Sequence, residues 1–245
     1  MSGAVQYIDL PRIYDQVMSG VPYSYWLEYI TSLFDRYHIR PETLLDVACG
    51  TGTMTKAFAD AGIKAAGIDI SPGMIACAQS KYPGLEFVCA DAAEFDLGRQ
   101  FDCAVSLFDS LNYITDRDRL RMAFCRVRQH LVPGGWFIFD LNTIYALSAG
   151  LFRQANLEEW PRYMWTPNWD PKTRLCSVDM VFEVRDSEGN TRQFRETHVQ
   201  KGYRQKEIIN LLEDASLTFV EDFDAYTTNK THKRSDRIFY VARKD

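Results

Sequence analysis

The clearest chemistry in this 245-residue chain lies in its first hundred residues, where Asp46, Gly50, Gly52, Asp69 and Asp91 fall at the ends of apolar runs. The segment LLDVACGTGT, residues 44 to 53, reads as a buried strand that ends in two closely spaced glycines, and a helical pattern begins at once. A turn this tight needs residues that tolerate unusual backbone angles and lack bulk, so that a ligand can lie against the main chain. The next strand ends in Asp69, 17 residues after Gly52, where a carboxylate at a strand's carboxyl edge can take both hydroxyls of a ribose. Together these features point to a nucleoside ligand.

Two departures separate this pattern from a dinucleotide fingerprint. The position of a third glycine is Thr55, and Asp46 puts a negative charge where a pyrophosphate would need helix amides alone. An acidic group suits a ligand carrying an ammonium and a sulfonium. Further on, a strand at 86–90 runs into Asp91-Ala92, where a carboxylate and a backbone group can hold the amino group and a ring nitrogen of adenine. A strand at 101–107 leads into Phe108-Asp109-Ser110-Leu111-Asn112-Tyr113, at the carboxyl edge beside the first strand, where open α/β sheets bind ligands.

LLDVACGTGT, GIDIS with Met74, FVCADAAEF and FDCAVSLFDSLNYI resemble the successive motifs of class I S-adenosylmethionine-dependent methyltransferases, and they cover residues 44 to 141 in the expected order. The start from Tyr7 to Trp26, with IYD at 13–15 and VPYSYW at 21–26, is similar to a group of small bacterial methyltransferases with a β-insertion before the sixth strand. That group is similar to glycine and sugar-amine N-methyltransferases. The resemblance implies S-adenosylmethionine as cofactor, with S-adenosylhomocysteine as product. It implies that Asp46, Ala48, Gly50 and Gly52 surround the methionyl part, Asp69 the ribose, Met74 and Ala92 the adenine faces and Asp91 its amino group. Tyr14 would close over the methionyl end, and Trp26, Cys49, Ile70, Leu107, Phe108 and Asn112 complete the cofactor-binding set. The family's first motif usually has glycine where this chain has Ala48, a departure expected to add no more than one methyl beside the cofactor.

The elements that must position these groups follow from periodicity. Residues 22–37 form an amphipathic helix with Pro22 at its first position. Strands at 44–48, 65–70, 86–90, 101–107 and 136–141 alternate with helices at 53–61, 73–81 and 116–131, the rhythm of a parallel sheet with helices on both faces. Residues 143–174 show no clean period, after which 176–184 and 191–200 alternate around a turn at 186–190, as an antiparallel hairpin does. A helix at 204–215 and strands at 217–227 and 236–243 resume the pattern. The expected architecture is α/β, a Rossmann-like doubly wound, mostly parallel sheet with an antiparallel β-insertion before the sixth strand. One methyltransferase domain spans 1–245, with an N-terminal helical lid at 1–40 and an inserted β substrate-cap subdomain at 143–203.

Methyl transfer from a sulfonium is an in-line displacement, so catalysis can come from holding acceptor and methyl carbon about 3 Å apart with water excluded. A protein base is needed only if the acceptor arrives protonated. The catalytic candidates are His198, Tyr14 and Tyr113. His198 shares a strand face with Phe194 and Glu196 and reads either as a base over the acceptor or as an ordinary satisfied sheet histidine; Glu196 is a second candidate base. Tyr14, Tyr25, Trp26 and Tyr113 read as aromatic walls for a cation or as core residues, and Asp109 as an acceptor-binding carboxylate or a turn cap.

Hydrophobic residues make up 46% and charged residues 25% of the chain, which excludes disordered and fibrous classes. The net charge of −5 argues against a surface built for nucleic acid. Two basic clusters, Arg117/Arg119/Arg121/Arg126/Arg128 and Lys230/Lys233/Arg234/Arg237, read as solvated faces. Six cysteines lack CxxC spacing or histidine partners and read as reduced, mostly buried thiols with no metal site. With no signal sequence and no run of 18 apolar residues, the expected compartment is the cytoplasm, with no membrane partner. The function expected is methyl transfer from S-adenosylmethionine to a small-molecule acceptor at N or O, by a monomer or homodimer. The alternative is an RNA or protein methyltransferase docking through its arginine-rich helix, although no Asn-Pro-Pro-Tyr-like tetrapeptide follows the fourth strand. A nucleotide-dependent oxidoreductase and a non-catalytic binding module are the remaining rivals.

Overall fold

The computed structural model describes residue 7, residues 9–186 and residues 188–245. The apolar runs of the first half become β1 (Thr43–Val47), β2 (Lys64–Asp69), β3 (Glu86–Cys89), β4 (Phe101–Ser106) and β5 (Leu131–Asn142). They join β10 (Thr218–Asp224) and β11 (Arg237–Arg243) in a seven-stranded sheet of order β10-β11-β5-β4-β1-β2-β3. The pairings among the first five strands are parallel, whereas β11 runs antiparallel to both β5 and β10. Strand order reverses between β1 and β4, so the chain leaves those two strands in opposite directions and a crevice opens at their carboxyl ends.

Strand residues alternate between two cores, which shows that both faces of the sheet are covered. Leu45, Val47, Ala104, Phe137 and Phe139 pack with α5 (Arg117–Gln129) and α7 (Gln205–Asp214) through Leu120, Phe124, Ile208 and Leu211. Leu44, Val105, Ile138 and Phe239 pack with α2 (Tyr23–Arg36) and α3 (Thr53–Asp60) through Trp26, Ile30, Leu33 and Phe58. Pro22 is the residue before the first turn of α2, one position earlier than the spacing indicates. α4 (Pro72–Lys81) starts where the Ser71 hydroxyl accepts from the Met74 amide, and α5 where the Asp116 carboxylate accepts from the Arg119 amide.

The insertion is larger than a hairpin. It contains α6 (Ile144–Ser148) and a four-stranded antiparallel sheet of β6 (Gln154–Asn156), β7 (Arg162–Asp170), β8 (Leu175–Arg185) and β9 (Thr191–Lys201), in that spatial order. β8 and β9 are the hairpin read from alternation. β7 shows no clean period because the face opposite its inward Tyr163, Trp165 and Trp169 carries the apolar, exposed Met164, which interrupts the polar alternation. The N-terminal segment, a 3-10 turn at Leu10–Arg12 and the short α1 (Tyr14–Val17), packs beneath this second sheet. There Leu10, Ile13 and Tyr14 meet Val178, Met180 and Phe182. Residues 1–6 and 8 of the expected lid lie outside the described residues.

All six cysteines are free, but Cys103 and Cys176 alone are fully buried and Cys89 is exposed. Among the described residues no helix is long and apolar enough to cross a membrane.

Among the glycines on strands of the main sheet, Gly67 on β2 has the least room: an added Cβ would lie 2.6 Å from the Cys49 sulfur and 2.9 Å from the Phe87 ring. Gly67→Ala is expected to lower the melting temperature by roughly 5 °C, through overpacking of ~2 kcal/mol. Gly84→Ala, where a methyl meets nothing within 4 Å, serves as the control and should leave melting unchanged in a calorimetric scan.

Candidate active site

β1 hands over to α3 through a turn in which Ala48, Gly50 and Gly52 all have positive φ, at 61°, 56° and 79°. Ala48 is thus more than an extra methyl. An alanine held in the left-handed region costs about 1 kcal/mol that glycine would not, so the departure from the family pattern is a strained one. Gly52 is required on steric grounds as well, because a Cβ there would lie 2.6 Å from the Phe87 ring. At Gly50 a Cβ would meet nothing within 4 Å. Its N–H donates to Asp69 Oδ2 at 2.9 Å, while Asp69 Oδ1 accepts from the Ser71 amide at 2.8 Å. Asp69 therefore joins the end of β2 to the glycine turn of β1.

Asp46 is 2% exposed and accepts a hydrogen bond from the Thr55 hydroxyl at 2.6 Å. The residue standing where a third glycine would be is thus the one that steadies the acidic group. Burial pushes the Asp46 carboxyl up to about 7, with the nearby Asp69 charge adding to the rise and the Thr55 hydrogen bond opposing it. Burial also raises Asp69, against the two amide donors.

Two cavities meet at this edge of the sheet. The first, about 560 Å³, is lined by Asp46, Gly50, Asp69, Met74 and Leu107 among others. The second, about 300 Å³, lies between the N-terminal segment and the second sheet, with Trp26, Asp109, His198, Gln200 and Arg237 in its wall. Both volumes fall in the usual range for small-molecule sites. Tyr7, Tyr14, Phe108 and Tyr113 line both cavities and form an aromatic collar between them. Trp26 stacks on Phe108 with ring centroids 3.9 Å apart, and Tyr7 lies 5.7 Å from Tyr113.

The polar wall of the second cavity has two clusters. In one, Arg237 bridges two carboxylates: its Nη2 donates to Asp109 Oδ1 at 2.7 Å and its Nη1 to Asp140. Its guanidinium also lies 5.3 Å from the Trp26 ring centre. Asp109 further accepts from the Gln200 amide and donates its backbone N–H to Asp140 at 2.8 Å. Phe108 and Asp109 hold consecutive positive φ angles of 61° and 53°, which turns the Asp109 side chain back towards Arg237. In the other cluster, His198 on β9 lies 3.1 Å through Nδ1 from the Tyr113 hydroxyl and 2.9 Å through Nε2 from Glu196.

Most of the residues read from sequence converge here. Tyr14, Asp46, Ala48, Cys49, Gly50, Asp69, Ile70, Met74, Leu107 and Phe108 line the first cavity, and Gly52 shapes the turn beside it. Trp26 lines the second cavity instead of the first. Three expected cofactor residues stand outside both. Asp91 accepts from the Ala93 amide and from Arg119, so its carboxylate is occupied by its own chain; Ala92 packs on the core. Asn112 is buried, and its amide bonds the carbonyls of Asn142 and Lys201, stitching β5 to β9. Tyr25 faces solvent on the outer side of α2, one position from the buried Trp26. Tyr7, Tyr23, Gln200 and Arg237 were not anticipated. Arg237 belongs by sequence to a solvated basic cluster, yet its side chain is only 16% exposed, because β11 runs antiparallel and brings its first residue opposite Asn142 at the ligand edge. The spacing RIFYVAR shows a strand but not its direction.

A family model described as a methyltransferase domain matches residues 44–135. The Bacillus subtilis (strain 168) protein YqeM, named provisionally as a methyltransferase, is 30% identical over 246 residues, covering 97% of each chain. A crystal structure of an S-adenosylmethionine-dependent methyltransferase from Clostridium acetobutylicum ATCC 824 is 31% identical, with a TM-score of 0.84 over 95% of this chain and 96% of that one. The chain belongs to the S-adenosylmethionine-dependent methyltransferases. The dTDP-3-amino-3,4,6-trideoxy-alpha-D-glucopyranose N,N-dimethyltransferase of Streptomyces venezuelae is 37% identical over 102 residues, 40% of this chain and 41% of that one. S-adenosylmethionine is the cofactor of this methyltransferase, and the site's own chemistry suits it. Two buried carboxylates await a cation, the glycine turn leaves room at Gly50, and an aromatic collar faces the junction.

A cationic ligand in the first cavity favours ionised Asp46, so affinity for S-adenosylmethionine should rise with pH, by up to about tenfold per unit below 7, between roughly pH 5.5 and 7.5. In the ligand-free protein the same shift has the opposite sense: the stability associated with protonated Asp46 is full below 3.8 and is lost as pH rises through about 7. Asp46→Asn should flatten both dependences. Titration calorimetry giving a pH-independent wild-type affinity would show that Asp46 does not respond to the cofactor's charge.

Proposed function

We propose that this methyltransferase acts on the nitrogen of a small amine held in the second cavity. The observation that carries the reading is the aromatic collar joining that cavity to the first, with the Asp109 carboxylate in the wall beyond it. Around the second cavity Asp109, Asp140 and Glu196 outnumber Arg237, so the field favours an ammonium. The Streptomyces venezuelae relative, named for N,N-dimethylation of an amino sugar, supports the same acceptor class.

In this reading Asp46, Ala48, Cys49 and Gly50 hold the methionyl part of the cofactor, Asp69 its ribose, and Ile70 with Met74 its adenine; Leu107 and Phe108 complete the wall. The cofactor supplies an electrophilic methyl group. The protein supplies orientation and a route for one proton. An amine that arrives as ammonium passes its proton to Tyr113 Oη while the Tyr113 proton moves to His198 Nδ1, leaving a nitrogen lone pair on the acceptor and an imidazolium beside Glu196. Tyr14 in the collar and the N-terminal segment above it keep water from the reacting atoms. The second sheet serves as the substrate cap. Six free thiols fit the reducing conditions of the cytoplasm.

The RNA alternative is weakened by the arginine-rich helix itself. Arg117 pairs with Asp214, Arg119 with Asp91 and Glu94, and Arg128 donates to the Ser216 carbonyl, so these three of its five arginines already have partners within the chain.

The test offers S-adenosylmethionine labelled in its methyl group together with small primary and secondary amines, amino sugars among them, the matching alcohols, and bulk RNA. Label is expected on amine nitrogen. Asp109→Asn should lower kcat/KM for the amine by roughly tenfold or more while the affinity for S-adenosylmethionine stays within about threefold. Transfer confined to RNA or to hydroxyls would overturn the reading.

A further inference from the structure

Glu196 connects two parts of the chain that lie more than 180 residues apart. Its Oε1 accepts from the backbone N–H of Asp9 at 2.8 Å and of Leu10 at 2.9 Å, and its Oε2 accepts from the N–H of Tyr7 at 2.9 Å. The same Oε2 lies 2.9 Å from His198 Nε2. Side-chain exposure is 4% for Glu196 and 1% for His198, so both are closed off from solvent. The Tyr7 ring, on the segment whose amides Glu196 holds, stands edge-on to His198 with centroids 4.5 Å apart and also walls Tyr113. One carboxylate therefore both anchors the N-terminal segment over the collar and faces the imidazole beneath it.

Burial works to raise the Glu196 carboxyl, but the hydrogen bonds from His198, Leu10 and Asp9 outweigh it and bring the group down to about 2. An ionised carboxylate can only accept, so the hydrogen of neutral His198 must sit on Nε2 and its Nδ1 lone pair must face the Tyr113 hydroxyl. That is the tautomer in which Tyr113 donates to His198, while its oxygen faces the side chains of Tyr7 and Gln200 at the junction of the two cavities.

We propose that Glu196 is a positioning residue that locks the N-terminal segment and the His198 tautomer with a single carboxylate, so that the proton route of the preceding section exists only while the lid is shut. The inference takes its functional meaning from the amine reading, but its test needs no acceptor. Replacing the carboxylate by an amide leaves one accepting oxygen and introduces an N–H₂ that must face either the lid amides, which are themselves donors, or His198 Nε2, which it would convert to an acceptor.

The experiment uses full-length, ¹⁵N-labelled protein saturated with S-adenosylhomocysteine. Long-range ¹H–¹⁵N correlation spectra read the His198 tautomer, and amide exchange reads the lid through Asp9 and Leu10. The wild type should show the single Nε2–H tautomer and protected lid amides. In Glu196→Gln the two amides should exchange about tenfold faster or more, and the single Nε2–H tautomer should be lost. An Nδ1–H tautomer in the wild type overturns the proposal without any variant. So does a variant that lowers the melting temperature yet keeps the wild-type tautomer or the lid protection, which would make Glu196 merely structural. If amines fail as acceptors while these spectra come out as expected, the acceptor reading falls and the lock stands.

Discussion

Asp46 is a carboxylic acid buried at the end of a strand that is itself buried on both faces, and most of the site can be traced to that placement. A parallel strand packed between two helical layers can present chemistry only at its ends. At the end of β1 the Thr55 hydroxyl is the group that steadies the acid, and Asp69 adds a second carboxyl at the end of the neighbouring strand. The amides of Gly50 and Ser71 turn towards Asp69, and the glycine turn takes backbone angles that bring them there. What results is a crevice whose protein lining is short of positive charge, and a sulfonium ligand brings what the lining lacks.

The N-terminal segment and the inserted sheet face this crevice from the side of the second cavity, and the segment is held at both ends. Near the glycine turn, Asp15 of α1 accepts from the Thr51 hydroxyl at 2.6 Å and pairs with Lys81 of α4. Under the second sheet the segment's amides are taken by Glu196. The strap is therefore tied to the glycine-turn side by a side chain and to the inserted sheet by its backbone, with Tyr14 and the collar between the two ties.

How far this was legible in the sequence differs by layer. The parallel core was legible because buried strands of Leu, Val and Ile alternate with amphipathic helices, and the crevice residues because Asp46, Gly50, Gly52 and Asp69 are chemically odd at such positions. β7 was not, since its outward Met164 removes the polar alternation that marks a half-buried strand. Asn112 and Asp91 stand outside both cavities for a different reason: a polar residue beside a binding motif can equally bond its own chain, and only the partners decide. Arg237 was misread because strand direction, which leaves no trace in composition, puts it between Asp109 and Asp140. His198 and Glu196 were legible as neighbours on one face of a strand, but the lid amides that complete the arrangement come from the far end of the chain.

The collar of Tyr7, Tyr14, Phe108 and Tyr113 belongs to both cavities, so neither occupant has a wall of its own. Any rearrangement of those rings by an acceptor changes the surface offered to the nucleoside on the other side. Thermodynamic reciprocity then requires the nucleoside to alter acceptor affinity by the same factor. Where an occupant of the second cavity moves those four rings, the common partition couples it to the nucleoside across a single chain, through the same aromatic edges.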